Sequence, residues 1–175
     1  MRTNQPSILR GVVTGVAAGI TATLIMDQFQ KLTTADQKAV EKQTRLAQGE
    51  SPWRITLEQE DSTEIVARKI AEATGKPLTK EEKKKAGRAV HYTFGTLMGV
   101  VYGVSAEILP EVTTGAGTAF GTLLFLGAHE IAVPAFQLAP SPAETPATDH
   151  LQHWAAHVVY GGSLELVRSL IRRLI

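Results

Sequence analysis

The feature that most constrains this chain is a long segment, from Ala89 to Val167, that contains neither Lys nor Arg. Residues 27–88, by contrast, hold 13 of the 18 Lys and Arg residues and 11 of the 17 Asp and Glu residues. A water-soluble surface mixes charges of both signs throughout, and helices with one face in water would need such charges. We therefore expect one part of the chain to lie in lipid and the other in water.

Four runs of the chain are apolar and long enough to cross a bilayer, which takes roughly 20 residues in a helix. They are residues 8–26, 89–109, 112–138 and 151–171. The first run has no signal-peptide cleavage pattern, so we expect it to be a retained span. The predicted fold class is all-α: one domain, an integral membrane bundle of four transmembrane helices. A soluble all-α bundle with buried apolar helices is the alternative.

Residues 27–88 predict a polar, helical, extramembrane insertion between the first and second spans. Asp61 with Glu64, and Thr79 with Glu82, have the spacing of the capping box that begins a helix. The second of these helices meets no breaker except glycine before it enters the second span. Four basic residues at this junction would face either solvent or anionic lipid: Lys83, Lys84, Lys85 and Arg88.

Glycines recur every four residues in three of the predicted spans: Gly11, Gly15 and Gly19; Gly95, Gly99 and Gly103; Gly117 and Gly121. Residues at i and i+4 share one face of a helix, so the backbone of a neighbouring helix can approach closely there. The pattern, a glycine zipper, predicts close helix packing, either within the chain or between the subunits of a homo-oligomer.

Four spans would bring all five histidines to one side of the membrane. That side collects Asp27, His91, His129, Glu130, His150, His153 and His157. One interpretation is that these side chains rest at the lipid head groups. A second is a layer that binds protons or a small ion, because His titrates near neutral pH; its candidates are Asp27, His91, His129, Glu130, His153 and His157. A third is a metal or haem site of His150, His153 and His157, although their spacing matches no metal motif and indicates no particular cofactor.

The opposite side of the membrane would collect a second set of polar residues: Arg10, Glu107, Glu165 and Arg168. We expect ion pairs between them, which fix the register of the helices. His129 and Glu130 are adjacent, and in an α-helix they would point to different faces.

Several classes of function are excluded or disfavoured. The chain has no Cys, which rules out disulfides, thiolate zinc sites and a Cys nucleophile. Its net charge of +1 argues against binding to nucleic acid. No phosphate-binding loop and no nucleophile paired with a base is present, so nothing indicates an enzyme.

Three segments resemble the YagU-like family of bacterial inner-membrane proteins, over residues 89–175. They are residues 99–110 (GVVYGVSAEILP), the glycine-rich run through His129 to Pro134, and the last stretch from His157 through Glu165 to Arg173. The resemblance implies an inner-membrane address, a multi-span bundle and no known reaction. It marks His129, His157, Glu107 and Glu165 as polar positions of the family. Basic residues at both ends of the chain predict cytoplasmic termini.

Three hypotheses of function follow for a membrane protein of this kind. The first is that the His/Asp/Glu layer senses or conducts protons or a small ion. The second is a metal- or haem-binding membrane subunit. The third is a structural component that binds a protein partner through residues 28–75, or a second copy through its glycines. Membrane lipid is the partner common to all three.

Overall fold

The computed structural model describes residues 6–49, 60–139 and 141–175, and every regular element within these ranges is a helix. The long helices are α1 (Ile8–Ala47), α3 (Lys80–Ile108) and α5 (Ala147–Leu174), and α2 (Ser62–Ala73) is short. Helix α4 covers residues 118–135, with a π-helical part at Phe125–Ala132 between Thr118–Leu124 and Val133–Ala135. Short 3-10 helices occupy Pro110–Gly117 and Pro142–Glu144. The predicted all-α class is confirmed.

The starts of α2 and α3 lie where the sequence predicts them. Asp61 accepts hydrogen bonds from the backbone N–H groups of Thr63 and Glu64. Thr79 and Glu82 form a complete capping box, and α3 then runs unbroken into the apolar segment. Helix α1 also continues from its apolar part into the polar insertion without a break, so the two parts form a single rod.

The third apolar run begins its helix later than the sequence predicts. Residues 110–117 form a tight turn in which Gly115, Ala116 and Gly117 have positive φ, and the α-helix starts at Thr118. Gly117 allows this because glycine adopts the left-handed region without steric cost. Helix α4 is therefore a separate helix, which this turn joins to the end of α3.

Small apolar side chains lie in the interior and large ones on the outside, which is the opposite of their distribution in a soluble protein. The buried core consists largely of small residues and two tyrosines: Ala18, Ala22, Met26, Tyr102, Ala156, Tyr160 and Leu164. Large apolar residues lie outside on α1, α3, α4 and α5, among them Leu24, Leu97, Leu123 and Leu166, which are 46 to 67% exposed. Small residues at helix contacts with large apolar residues outside are typical of packing in lipid.

Within the residues that the structure describes, two helical stretches are long and apolar enough to cross a membrane, Ile8–Thr34 and Pro110–Ala135. The prediction of four spans is therefore not confirmed beyond these two.

The predicted glycine positions lie at two close contacts between helices. Gly11, Gly15 and Gly19 of α1 face Gly103, Gly99 and Gly95 of α3 in antiparallel order, backbone against backbone. Gly117 and Gly121 lie against Gly161 of α5, which was not among the predicted packing glycines. These glycine faces are covered within the chain, so the homo-oligomer, which stays a prediction, would have to use other faces.

Candidate functional site

A cavity of ≈1460 Å³ occupies one end of the bundle, between α4 on one side and α1 and α3 on the other. Its floor contains the buried residues Thr23, Gly95 and Tyr160, and the Tyr160 hydroxyl donates to the Gly95 carbonyl at 2.6 Å. Helix α2 contributes to its outer part, where Lys69 donates to the carbonyl of Phe136. The predicted residues Asp27, His91, His129, His153 and His157 all line this cavity.

One wall of the cavity carries a carboxylate, Asp27, that lies beside two residues of α3. The Tyr92 hydroxyl donates to Asp27 Oδ2 at 2.9 Å. His91 Nε2 lies 3.3 Å from Asp27 Oδ1 and makes no hydrogen bond within the described part of the chain. Asp27 therefore ties α1 to α3 at the level where the apolar part of α1 ends.

Next to the opposite wall, to which His129 belongs, a carboxylate lies between two histidines. Glu130 Oε1 lies 3.1 Å from His129 Nδ1 and 2.9 Å from His150 Nδ1. Both His129 and Glu130 therefore face α5, whereas an α-helix would point them to different faces. The cause is the π-helical part of α4, in which i→i+5 bonds widen the turn and reduce the rotation between successive residues.

The rings on this wall also stack. The centroids of His129 and His153 are 4.2 Å apart, and Phe125 lies 5.5 Å from His129 and 5.6 Å from His157. His157 Nδ1 donates to the His153 carbonyl at 2.7 Å, which leaves Nε2 as its remaining polar atom. The arrangement can take up protons, and two positive charges on the stacked pair would repel each other strongly.

The described residues contain no group of three or more His, Asp or Glu side chains arranged to hold a metal ion. His150 is turned toward Glu130, and its Nε2 lies 3.0 Å from the Pro142 carbonyl. His153 stacks on His129, and His157 bonds to the backbone of its own helix. The three histidines of the metal hypothesis therefore do not converge on one point.

His150 lies just before the predicted fourth span, and its surroundings favour the protonated ring. Each ring nitrogen faces an acceptor, a carboxylate and a carbonyl, so only the imidazolium can donate to both. The hydrogen bond to Glu130, and then the one to Pro142, raise the pKa of His150 above its ordinary value of 6.5. The stabilising contribution of this contact is complete below the unfolded-state pKa and is lost as the pH rises through the folded-state pKa.

We therefore expect His150→Gln to remove part of the pH dependence of stability. Above pH 6.5 the wild-type protein should lose stability relative to the variant, because the variant has no proton to release at this position. Thermal unfolding in detergent, followed by circular dichroism in buffers on either side of that pH, measures the difference. Parallel curves for the two proteins would contradict the prediction.

The other end of the bundle is closed by a buried charge network. The Arg168 guanidinium donates to both oxygens of Glu165 at 2.7 and 2.8 Å, and Tyr102 donates to Glu165 Oε2 at 2.8 Å. Glu107, whose side chain is 0% exposed, pairs with Arg172 and lies 4.0 Å from Arg168. The network joins the C-terminal half of α3 to α5.

This network differs from the predicted one in one member. Arg10 has no ion pair within the described ranges, and Arg172 takes the place it was expected to fill. The backbone N–H of Ser7 also donates to Glu107, at 3.4 Å. Sequence reasoning missed Arg172, Tyr102 and Tyr92. Arg172 could have been found, because it lies four residues after Arg168 on the same helix face.

The fold and the site define a helical membrane protein with a histidine-lined cavity at one end and a buried charge network at the other. A family model described as a protein of unknown function, DUF1440, matches residues 68–166. The chain belongs to this family. The inner membrane protein YagU of Escherichia coli (strain K12) is 29% identical over 85 residues, which cover 49% of this chain and 42% of the relative. No solved structure matches the chain.

Proposed function

We propose that this chain is a four-span protein of the bacterial inner membrane that senses protons from one side through its histidine-lined cavity. The exposed large apolar residues on α3 and α5, such as Leu97 and Leu166, support lipid contact for these helices as well as for α1 and α4. The relative YagU is described as an inner membrane protein. The basic residues near both termini favour a cytoplasmic position for that end, so the cavity would face the periplasm.

The single observation that carries the proposal is the position of the histidines. His91, His129, His153 and His157 come from three helices and line one cavity with Asp27. Ionisable residues in a membrane bundle are costly and usually functional. Sensing is favoured over conduction because the floor of Thr23, Gly95 and Tyr160 closes the cavity toward the other end.

The mechanism follows from the stacked rings of His129 on α4 and His153 on α5. When both rings are neutral, they pack at 4.2 Å with Phe125 beside them. When both are protonated, like charges at this distance repel by several kcal/mol at a low effective dielectric constant, about 4 kcal/mol at an effective value of 20. We expect α4 and α5 to separate at this end, where the π-helical part of α4 has few neighbours.

Trp154 provides a direct readout of this movement, because its Nε1 donates to Thr122 Oγ1 across the α4–α5 contact at 3.2 Å. We expect the emission of Trp154 to change as the pH falls, because protonation of both rings would separate α4 from α5 at this contact. The measurement uses protein in lipid nanodiscs that carries Trp53→Phe, which leaves one tryptophan, and His150→Gln, which removes the titration of His150.

In this background the double change His129→Gln/His153→Gln should abolish the titration. Gln152→Ala is the matched control, because Gln152 lines the same cavity and does not titrate. Emission that is independent of pH, or that titrates equally without the two histidines, would refute proton sensing by this pair. Proton flux into liposomes that depends on the same histidines would replace sensing by conduction.

A further inference from the structure

The cavity has the size and walls of a site for a lipid-like molecule. Its volume of ≈1460 Å³ exceeds the roughly 300–1,000 Å³ that is usual for small-molecule pockets. Apolar side chains from three helices line it: Met26 of α1, Phe94 of α3, and Leu124, Ala128 and Val133 of α4. Binding of protons alone requires neither a cavity of this volume nor an apolar lining.

The cavity opens sideways. Helix α4 packs along α5, and it has no comparable contact along α1 or α3 beyond the turn at residues 110–117. Phe94 and Phe136 line the cavity and are 44% and 70% exposed. In a bundle surrounded by lipid, such a gap between helices is reached from the hydrocarbon rather than from water.

Helix α3 contributes two basic side chains to the outer part of the cavity. Lys84 and Arg88 are one helical turn apart, and both line the cavity. The side chain of Arg88 has no ion pair or hydrogen bond within residues 6–49, 60–139 and 141–175. Four acidic residues also line the cavity, Asp27, Asp61, Glu64 and Asp149, and each already has a partner. Asp61 caps α2, Asp27 accepts from Tyr92 and Asp149 accepts from Thr148.

Helix α2 lies over this outer part. Glu64 packs against Gly87 of α3, and Glu60, just before α2, pairs with Lys83 of α3 and with Arg68. These two cations lower the pKa of the Glu60 carboxyl. Helix α2 therefore covers the outer end of the cavity, Tyr160 closes the inner end, and the side between the helices is open.

We propose that the cavity binds an anionic amphiphile with a phosphate head group, whose acyl chain lies between α4 and the α1–α3 pair and whose phosphate lies near Arg88. A guanidinium matches a phosphate with two parallel hydrogen bonds. This inference rests on the proposed function for the membrane position of the chain, and it is independent of whether the histidines respond to pH.

The test measures binding of a spin-labelled long-chain alkyl phosphate, and of the corresponding alcohol, to the full chain in a neutral detergent. We expect the alkyl phosphate to bind at least about tenfold more tightly than the alcohol, and an excess of inorganic phosphate to leave it bound. Ala128→Trp fills the cavity and should weaken binding of both probes about tenfold. Ala119→Trp is the matched control on the exposed part of α4 and should change binding less than twofold.

Arg88→Gln tests the head group and leaves the apolar walls of the cavity unchanged. It should reduce the preference for phosphate over alcohol to less than about threefold and leave the affinity for the alcohol unchanged, while Arg88→Lys keeps most of the preference. Equal binding of both probes by the wild type, wild-type binding by Ala128→Trp, or displacement by inorganic phosphate would overturn the proposal. A pH-independent Trp154 signal would refute proton sensing alone.

Discussion

Replacing Gly99 by Val is expected to destabilise the protein by about 3 kcal/mol or more, the upper end of the range for overpacked cores. A Cβ atom at Gly99 would lie 2.5 Å from the carbonyl oxygen of Gly15 and 2.5 Å from the Cα of Gly19. Both neighbours are backbone atoms, so no side chain can move aside, and α1 and α3 must separate. The loss of dispersion contacts along the whole α1–α3 interface adds to the steric cost.

The measurement is unfolding by a denaturing detergent, followed by circular dichroism. Gly99→Ala and Gly127→Ala form a matched pair of the same substitution in two helices. A Cβ at Gly127 would meet nothing within 4 Å, so that variant should be as stable as the wild type or slightly more stable, because Ala favours helix over Gly. Gly99→Ala should unfold at a lower denaturant fraction than the wild type. If both alanine variants unfold together, α1 and α3 do not touch at Gly99.

The glycine contacts and the helix starts could be predicted because they depend on local spacing alone. Glycines four residues apart mark one face of any helix. Because that face has no side chains, the backbone of another helix can pack directly against it. The N-terminal caps at Asp61 and Thr79 involve bonds within one helical turn, so no knowledge of the tertiary structure is required. Gly161 could have been included on the same ground, since His157, Gly161 and Glu165 share a face.

The histidine wall was harder to predict because it depends on an irregular helix. His129 and Glu130 both reach α5 only through the π-helical part of α4. Pro134 provides a physical reason for this irregularity, because it has no N–H to donate to the carbonyl of Glu130, four residues earlier. The proline is visible in the sequence, but the direction in which the widened turns rotate the two side chains depends on the contact with α5.

The partner of Glu107 also depends on how the helices cross. Arg10, Arg168 and Arg172 all lie at the same end of the bundle by sequence, and spacing along one helix cannot rank contacts between helices. The crossing of α3 and α5 puts Arg172 on Glu107.

The part of the predicted insertion at residues 50–59 lies outside the described residues, and the partner-binding prediction for residues 28–75 stays a prediction.

Replacing Glu107 by Gln is expected to cost about 3–5 kcal/mol, the range for breaking a buried ion pair. The side chain of Glu107 is 0% exposed, and the change leaves the guanidinium of Arg172 and the 8% exposed Arg168 without its charge. Arg168 keeps Glu165 as a partner, so most of the cost should come from Arg172. Glu111→Gln is the control, because Glu111 is exposed one turn beyond the end of α3, and it should stay within about 0.5 kcal/mol.

The double variant Glu107→Met/Arg172→Met separates the cost of an unpaired charge from the value of the pair. Desolvation of two ions offsets most of their attraction, so replacing both by apolar side chains is often neutral or stabilising. We expect the double variant to recover most of the stability that Glu107→Gln loses, measured by the same detergent unfolding. A double variant less stable than Glu107→Gln would instead show that the ion pair itself holds α3 and α5 together. Recovery of stability would show that the cost of Glu107→Gln comes from the guanidinium left without its partner rather than from the loss of a strongly stabilising pair.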